Sequence, residues 1–492
     1  MNEHASNLVT RRGILGGALA GAFLAVYTEP TSAAGVIFSH ILGRPTSRTI
    51  AISIISSSPV DAYLEYGYSS KVLNLKSDTK TFETNIPQVF ELTGLKANSL
   101  IYYRVRSSGS SKSSFDTGST YSFKTAKTIG KPYSFTVQGD THPERAGKMF
   151  NADLYTVAMK NVASQKPDFH ILLGDDFSID PLIGKGQANQ TTVEKVYKTH
   201  RDWLSIAGKT VPIFLVNGNH EQAAKYLLNG SQTSPAVLAG NARLKYFPLP
   251  IENDFYKSDK TEVEFVGNPR DYYSWTWGDA TFIALDPYWH SESAVDNVAG
   301  VSNDQNAANK KNGGGGTKTT DLWKIGIGDE QYAWFKSVLE SSKSKYIFVF
   351  AHHVMGTGRG AVEVSYNYEW GGKDPGNKTS FKEQRPNWEL PIHDLMVKHK
   401  VSIFFQGHDH IFVTQSRDGL VYQSMPNPAD DTFSMFNADA YTSGFKGPNS
   451  GHVRVSISGS SAKVEYFLAA RAQDKGRKNL AIAHSYSVKP RA

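Results

Sequence analysis

The sequence predicts an α/β (α+β) sandwich of two mixed sheets flanked by helices, preceded by a small all-β sandwich. Three observations carry this prediction. Short alternating runs separated by Ser, Gly and Asn turns fill residues 36–128, which is typical of a β-sandwich. Further along the chain, runs rich in aromatic and β-branched residues alternate with helical patterns. Polar motifs directly follow five of those runs.

The first residues have the features of an export signal. Arg11 and Arg12 precede an apolar, Gly/Ala-rich stretch that extends to Val26, and Ala34 offers a small-residue cleavage position. The apolar stretch is shorter than the roughly 20 residues that a membrane-spanning helix needs. We therefore interpret residues 1–34 as a twin-arginine signal peptide. This predicts a periplasmic or secreted protein with no stable membrane insertion after signal cleavage.

Charge and cysteine content exclude several classes of protein. The formal net charge is +7, but the basic excess lies in residues 35–130 and 471–492. Residues 131–470 are slightly acidic, so no nucleic-acid groove is indicated and no nucleic-acid partner is expected. The basic tail, residues 471–492, is expected to be a solvated end or a cell-surface contact. The chain has no cysteine, which excludes disulfide bonds and thiolate ligands.

Residues 35–130 are expected to form the small β-sandwich. The stretch LTGLKANSLIYYRVRS within them resembles a fibronectin type III strand pair with its turn. No patterned exposed aromatic residues indicate a binding face. We interpret this domain as one that packs against the following domain and shapes its rim, with a separate binding module as the alternative.

Five polar motifs end the buried-strand runs of residues 131–470, the second predicted domain. In chain order they are GDTH, GDD, GNHE, HH and GHDH. Helical patterns at 149–163 and 329–342 lie between the runs, so part of the sheet should consist of βαβ units. In such sheets ligands gather at the carboxyl ends of the strands. The motifs supply enough Asp, His and Asn side chains to hold two metal ions. The strand runs are 133–138, 168–173, 212–216, 346–351 and 401–406.

Two segments of this domain predict loops. Residues 299–320 are rich in Gly, Asn and Lys and carry almost no large apolar side chain. Residues 355–390 directly follow the HH motif, which would place them over the site as a lid. Beyond GHDH, the runs 420–425, 452–458 and 462–468 are expected to complete a second sheet packed on the first.

The ordered motif set resembles the calcineurin-like metallophosphoesterases, and the preceding region resembles the N-terminal sandwich of purple acid phosphatases. The resemblance covers most of the chain after residue 34. It implies an exported phosphoric ester hydrolase that binds two divalent metal ions, Fe, Mn or Zn, and acts on small phosphomonoesters through a metal-bound hydroxide. Two metals lower the pKa of a bridging water and neutralise charge in the transition state. The implied metal ligands are Asp140, His142, Asp175, Asn219, His352, His408 and His410.

The resemblance also implies how these residues divide the work. Asp175 would bridge the two metals and so be catalytic. The first metal would complete its shell with one aspartate and two histidines, and the second with Asn219 and two histidines. The implied sets are Asp140, His142 and His410 for the first site and Asn219, His352 and His408 for the second.

The same resemblance suggests residues that meet the substrate. His220 would be catalytic, protonating the leaving oxygen or binding phosphate, with Glu221 positioning it. Asn219, His353 and Arg359 are candidate substrate-binding residues, and plain packing is the alternative for His353. Arg359 and Arg145 are candidate phosphate clamps because of their places in loops after metal motifs, not because of the resemblance. Two strand-end acids, Asp176 and Asp286, are assigned to turns.

The chain departs from related types at two points. Purple enzymes place a tyrosine three residues after the bridging aspartate, where this chain has Ser178, which favours divalent metals over ferric iron. The alkaline phosphatase D type resembles the layout but uses a cysteine ligand, which this chain lacks. Two alternatives stay open: a phosphodiesterase acting on nucleotides or glycerophosphodiesters, and a noncatalytic surface-binding protein.

Overall fold

The structure is a computed structural model that describes residues 36–491 apart from 109–113, 222–227, 293–294, 296–320, 355–357 and 375. The predicted signal peptide, residues 1–34, and the predicted loop, residues 299–320, lie outside the described residues. Within the described ranges, no helix combines the length and the apolar character that a bilayer crossing requires.

The N-terminal region consists of two antiparallel sheets that enclose a core of their own. One sheet has the order β1-β2-β6, and in the other β3 and β7 pair with each other and with four short strands. Buried side chains from both sheets, including Ile52, Leu64 and Phe123, form this core. The all-β prediction is confirmed, while the fibronectin-like assignment and the boundary at residue 130 stay predictions. The strands are β1 Phe38–Gly43, β2 Ile50–Ser56, β3 Val60–Gly67, β4 Leu75–Lys76, β5 Lys80–Phe82, β6 Pro87–Leu92, β7 Leu100–Ser108, β8 Asp116–Thr117 and β9 Tyr121–Lys124.

The second region begins with a six-stranded sheet in the order β12-β11-β10-β21-β22-β23. The first three strands of this order are parallel, and β21 runs antiparallel to β10. Its strands are β10 Tyr133–Gln138, β11 Phe169–Leu172, β12 Ile213–Leu215, β21 Gly451–Ser458, β22 Ser461–Leu468 and β23 Ile482–Val488.

An eight-stranded sheet, β13-β14-β15-β16-β17-β19-β18-β20, packs against the six-stranded one. Strands β15, β16, β17 and β19 are parallel. Aromatic rings join the two sheets: the ring centroid of Phe135 on β10 lies 5.1 Å from that of Phe282 and 5.3 Å from that of Phe348. The strands are β13 Tyr256–Ser258, β14 Tyr273–Trp277, β15 Ala280–Ala284, β16 Tyr346–Phe350, β17 Ile403–Gln406, β18 Phe412–Arg417, β19 Leu420–Ser424 and β20 Phe445–Gly447.

Helices cover the outer faces of both sheets and bury their apolar sides in two further clusters. Asn151 caps the first helix by accepting a hydrogen bond from Leu154 N, and Asn189 caps the third with a reciprocal pair of bonds to Thr192. This layered arrangement confirms the predicted sandwich of two mixed sheets. The helices are α1 Ala152–Gln165, α2 Asp180–Gly184, α3 Gln190–Gly208, α4 Pro235–Tyr246, α5 Gly328–Ser341, α6 Tyr368–Gly371, α7 Phe381–Gln384 and α8 Ile392–Lys398.

Three expectations about the later chain need correction. The runs after GHDH do not form one separate sheet: β19 joins the eight-stranded sheet, and β21 and β22 join β10. Residues 471–492 are not wholly a solvated tail, because β23 pairs with β22 as an edge strand. Residues 355–390 do not form a simple lid: Trp370 is fully buried and its indole donates to Tyr422 Oη at 3.0 Å. Apolar burial therefore holds part of this insertion in the core.

Candidate metal centre

The five motif loops meet at one edge of the paired sheets. Strands β10, β11 and β12 are parallel neighbours in one sheet, and β16 and β17 are parallel neighbours in the other. Parallel strands present their carboxyl ends at the same edge, which is where ligands bind in such sheets. The loops that follow these strands bring all seven predicted ligand residues into one buried cluster. Their distances, given below, define two groups with a shared aspartate between them.

The backbone of these loops is held in unusual conformations. Four of the predicted ligands have positive φ: His142 at 51°, Asp175 at 59°, His408 at 67° and His410 at 52°. Such conformations cost of order 1–3 kcal/mol each for residues other than glycine and cluster at functional sites. Close approach also explains the motif glycine Gly218, since a Cβ there would stand 2.2 Å from Asp175 Oδ1.

The first group contains Asp140, His142 and His410. His410 Nε2 lies 3.0 Å from Asp140 Oδ2 and 3.2 Å from His142 Nε2. His142 Nε2 is 3.9 Å from Asp140 Oδ2. One ligand atom from each of the three residues lies within 4.8 Å of the other two. This is the spacing that three ligands around one ion require.

The second group contains His352, His408 and Asn219. His352 Nε2 lies 3.0 Å from Asn219 Oδ1 and 3.3 Å from His408 Nδ1. Asp175 completes the group, with Oδ2 3.2 Å from His352 Nε2. The donor set is therefore two imidazoles, one amide oxygen and one carboxylate, a mixture that suits zinc, iron or manganese.

Asp175 stands between the two groups. Its Oδ2 atom is 3.4 Å from His142 Nε2 in the first group and 3.2 Å from His352 Nε2 in the second. Its other oxygen, Oδ1, accepts the backbone N–H of His220 at 2.9 Å. One carboxylate oxygen thus faces ligands of both groups, which is the position that a bridging ligand occupies.

Hydrogen bonds outside the cluster orient two of the imidazoles. His142 Nδ1 bonds Glu144 Oε1 at 2.8 Å, and His352 Nδ1 bonds the carbonyl of Leu173 at 2.7 Å. Because Nδ1 of each ring is engaged outside the cluster, Nε2 is directed into it, where it is available to a metal ion. This arrangement of a ligating histidine and an outer acceptor is common in metal sites.

Burial and charge favour a cation here. All seven side chains are at least nine-tenths buried. Burial, together with the positive charge of Arg145, lowers the pKa of His142, and burial with Arg359 does the same for His408, so both rings are neutral and able to ligate. Burial lowers the pKa of His352 as well, but the charges of Asp175 and Asp140 outweigh it and raise the value to about 10. Two buried carboxylates thus draw positive charge into the cluster, and the residues fit metal ions.

Glu221 organises the loops, whereas the sequence had suggested that it positions His220. Its carboxylate accepts backbone N–H bonds from Asp175 at 2.8 Å, from Phe177 at 3.0 Å, and from Asp176 and Gly218. The prediction that Glu221 positions His220 is therefore wrong. A carboxylate that accepts several amides can fix two loops at once, because each amide needs a buried acceptor.

His220 lies at the open side of the cluster and its partner is Asp180. His220 Nδ1 lies 2.5 Å from Asp180 Oδ2, and Nε2 lies 3.3 Å from Arg145 Nη2. His220 Nε2 is 3.9 Å from Asp175 Oδ2, so the ring borders the cluster without joining either group. Burial lowers the pKa of His220, but the charges of Asp175 and Asp180 together have the larger effect and raise it to about 9.

The two remaining candidates, His353 and Arg359, form hydrogen bonds within the protein. His353 Nδ1 bonds Tyr288 Oη at 2.9 Å, and its ring centroid lies 4.9 Å from that of His408. Arg359 Nη1 donates to the carbonyl of His408 at 2.6 Å and contacts Asp409 at 3.3 Å. Both residues support the loop that carries His408, and their roles in substrate binding stay predictions.

Asp286 holds a turn, as expected, whereas Asp176 joins two separate loops. Asp176 accepts from Thr141 Oγ1 at 2.6 Å, and Asp286 accepts from the amide of Asn217 and, at 2.6 Å, from Tyr288 N. Three residues near the cluster were not predicted from the sequence. One of them, Glu144, had a local signal, because it lies two residues after the predicted ligand His142. These three are Glu144, Asp180 and Tyr288.

Comparison with known proteins places this chain in a family. The profile of calcineurin-like phosphoesterases matches residues 133–412, which hold all five motifs, and the chain belongs to that family. It is thus a metal-dependent phosphoesterase. A comparison with curated protein sequences finds no match.

Two solved structures share the fold over nearly the whole chain. The structure of PhoD aligns at a TM-score of 0.61 with 15% identity, covering 91% of this chain and 89% of that one. The purple acid phosphatase PPD1 from yellow lupin (Lupinus luteus) seeds aligns at 0.59 with 15% identity, covering 92% and 74%. At this identity the likeness concerns the fold, including the N-terminal sheets.

Proposed function

We propose that the chain is an exported phosphomonoesterase that works with two divalent metal ions in the cluster around Asp175. The observation that carries this proposal is the position of Asp175 Oδ2, within 3.4 Å of a histidine nitrogen from each group. Asp140, His142 and His410 would hold one ion, and Asn219, His352 and His408 the other. When bound, such a pair activates water and stabilises the charge of an in-line displacement.

The open side of the cluster presents groups suited to an anionic ester. The side chain of Arg145 is 32% exposed and that of His220 is 14% exposed, whereas the ligand side chains are nearly sealed. Their nitrogens lie 3.3 Å apart. A phosphoryl group entering here would meet a guanidinium and an imidazole together. We assign phosphate binding to Arg145 and delivery of a proton to the leaving oxygen to His220.

Asp180 supports that role for His220. By accepting the Nδ1 proton at 2.5 Å, it fixes the ring so that Nε2 faces the cluster. A positioned imidazole of this kind can donate a proton to an alkoxide leaving group, a contribution of typically 10² to 10⁴-fold. Small phosphomonoesters with poorly departing alcohols are the substrates that gain most from such a donor.

The chemistry of the donor set favours a pair of divalent ions. Ser178 occupies the position where a purple enzyme would carry a phenolate, and its Oγ instead accepts the backbone N–H of Asp180 at 3.4 Å. Imidazole, carboxylate and amide donors suit Zn²⁺, Mn²⁺ or Fe²⁺. The metal-loaded protein should therefore be colourless or weakly coloured.

Export is proposed on the sequence of residues 1–34. Arg11 and Arg12 before the apolar stretch are the features that support it. Replacing both with lysine should leave the protein uncleaved inside the cell, while the wild type appears in the periplasm or the medium. Equal distribution of the two proteins would contradict export by the twin-arginine route.

The catalytic proposal is tested by His220→Ala on two substrates. The variant should keep its metals but lose about 10² to 10⁴-fold in kcat on an alkyl phosphate. On p-nitrophenyl phosphate the loss should be far smaller, because that leaving group departs without a proton. Steady-state kinetics and elemental analysis provide both readouts, and bis-p-nitrophenyl phosphate measures diesterase activity.

His399→Ala is a matched control. This residue follows α8 and precedes β17, at the opposite end of that strand from the motif loop, so both activities should be unchanged. Equal losses on both substrates in His220→Ala would assign His220 to phosphate binding instead. Loss of metal would make it a ligand, and faster cleavage of the diester than of the monoesters in the wild type would favour a phosphodiesterase.

A further inference from the structure

A second set of metal-ligating side chains lies away from the Asp175 cluster, beside the β13–β14 pair. Asp259 follows β13 directly, and Asp271 stands two residues before β14. Because the strands are antiparallel, with Ser258 opposite Tyr273, the two aspartates come together at the same end of the pair. His290, in the segment after β15, completes the set. One ligand atom from each of the three lies within 4.8 Å of the other two.

Half of the carboxylate oxygens in this set have partners. Asp271 Oδ2 lies 2.6 Å from His290 Nε2, and Asp259 Oδ1 accepts the backbone N–H of Thr261 at 2.8 Å. The other two, Asp259 Oδ2 and Asp271 Oδ1, are buried and receive no well-aligned hydrogen bond from the described residues. Their nearest polar neighbours are each other's carboxylates and the Tyr272 hydroxyl. Asp271 is fully buried and Asp259 is 2% exposed. A buried acceptor left unpaired costs about 1–3 kcal/mol, and more when charged, so both oxygens call for a partner.

The charge of the set is also unbalanced. Among the ion pairs of the described residues, one involves these aspartates, and it joins Asp271 to His290. Two buried carboxylates thus face one imidazole, and a divalent cation would balance the charge of both carboxylates.

We propose that Asp259, Asp271 and His290 bind a divalent transition-metal ion, zinc or manganese, at a site separate from the Asp175 cluster. Two carboxylates and an imidazole match those ions, whereas calcium takes six to eight oxygen ligands. The side chain of His290 is 12% exposed, which gives a cation access from solvent. Such an ion would be held by one carboxylate oxygen from each aspartate and by a ring nitrogen of His290.

The bound ion would brace one flank of the catalytic cluster. It would join the loop after β13 and the start of β14 to the segment that contains Asp286 and Tyr288. Tyr288 in turn bonds His353 at 2.9 Å, beside the ligand His352. The site is therefore structural: its loss should loosen this segment while leaving the Asp175 ligands in place.

Metal counting in the purified full chain tests the proposal. After loading with Zn²⁺ and removal of free ion, elemental analysis should show one zinc fewer per chain in His290→Ala and in Asp271→Asn than in the wild type. His399→Ala is the control and should lose none. Because the readout is a difference, it does not depend on how many ions the Asp175 cluster holds.

A second background separates the two sites. Asp175→Ala should strip the catalytic cluster yet keep one zinc per chain, which addition of Asp271→Asn removes. Near-wild-type hydrolysis of p-nitrophenyl phosphate by His290→Ala would show that this variant folds. If it does not fold, the zinc counts of the wild type and of Asp175→Ala still test the site. Equal zinc in the wild type and both single variants would overturn the site and assign the aspartates a shared proton instead.

Discussion

Two buried polar regions of this chain use their hydrogen-bonding groups in opposite ways. Where β1 and β2 meet α3, the fully buried Arg201 donates to the carbonyls of Ser39 at 3.3 Å, Ser53 at 2.6 Å and Tyr246. In that junction both terminal nitrogens of the guanidinium meet backbone acceptors of the chain itself, although Arg201 Nε has no partner among the described residues. In the Asp175 cluster, by contrast, side-chain nitrogens and oxygens from five separate loops converge on one another, with His352 Nε2 3.0 Å from Asn219 Oδ1 and His410 Nε2 3.0 Å from Asp140 Oδ2.

The difference teaches how to separate structure from function among buried polar groups. A buried group paired within the chain contributes to stability and needs nothing more. A set of convergent lone pairs at strand ends, held by positive-φ backbone and outer hydrogen bonds, is costly unless a cation enters. The junction should therefore respond to mutation through stability, and the cluster through metal content and turnover.

The largest expected effect is at the shared ligand. Asp175→Ala should reduce turnover by more than about 10³-fold, because its carboxylate faces both groups. Bound metal should fall at both groups together. Hydrolysis assays and elemental analysis of the same preparation measure the two effects. Near-normal turnover would remove Asp175 from the bridging role, and loss of one ion alone would make it a ligand of a single site.

A smaller effect is expected at Glu221, which holds the loops without facing the metals. In Glu221→Gln an amide NH₂ would replace an acceptor that now receives amides from Asp175, Asp176, Phe177 and Gly218. Metal affinity should fall by about 10 to 100-fold, as for other outer partners of metal sites. Zinc titration followed by activity measures this loss.

The exposed Glu264 provides the control for that experiment. Glu264→Gln changes the same functional group at the surface, so its metal affinity and thermal midpoint should match the wild type. An unchanged zinc affinity in Glu221→Gln would show that the loops hold their shape without this carboxylate.

The smallest expected effect is a loss of folding stability at acid pH, which arises in the junction where β1 and β2 meet α3. Burial, with Lys209 and Arg201, lowers the pKa of His40 to about 3, from about 6.5 in an unfolded chain. Between these values the unfolded state binds a proton that the native state does not, so stability falls as pH drops below about 6.5. The loss is about 1.4 kcal/mol per pH unit.

His40→Gln should remove that contribution. Its unfolding free energy should therefore decline less than that of the wild type between pH 6.5 and 5, by about 2 kcal/mol. Denaturant unfolding of both proteins at each pH measures the difference, and turnover at pH 7 should be unchanged. Parallel curves would show that His40 titrates normally in the folded chain.

Local sequence patterns predicted most of the strands and the proposed metal ligands. The runs before the five motifs correspond to β10, β11, β12, β16 and β17 within two residues, because continuous apolar runs with polar ends are typical of buried parallel strands. The seven predicted ligand residues came from the motifs, and the structure places them in one buried cluster.

The rest depended on contacts that no local pattern records. Asp180 meets His220 across 40 positions, and Tyr288 meets His353 across 65. Strand β23 escaped prediction because, as an edge strand, it keeps Ile482 half exposed and places the polar His484 between its larger apolar residues. Trp370 looked like a lid residue because loop composition does not reveal that a particular indole is buried.

The central claim is that two metal ions lie on either side of Asp175. Anomalous diffraction at the zinc edge, from crystals of the zinc-loaded protein, tests it most directly. We predict two peaks roughly 3.5 to 4 Å apart, one beside Asp140, His142 and His410 and one beside Asn219, His352 and His408, with Asp175 contacting both. A single peak in this cluster, in crystals of protein that still hydrolyses phosphomonoesters at full rate, would contradict the account.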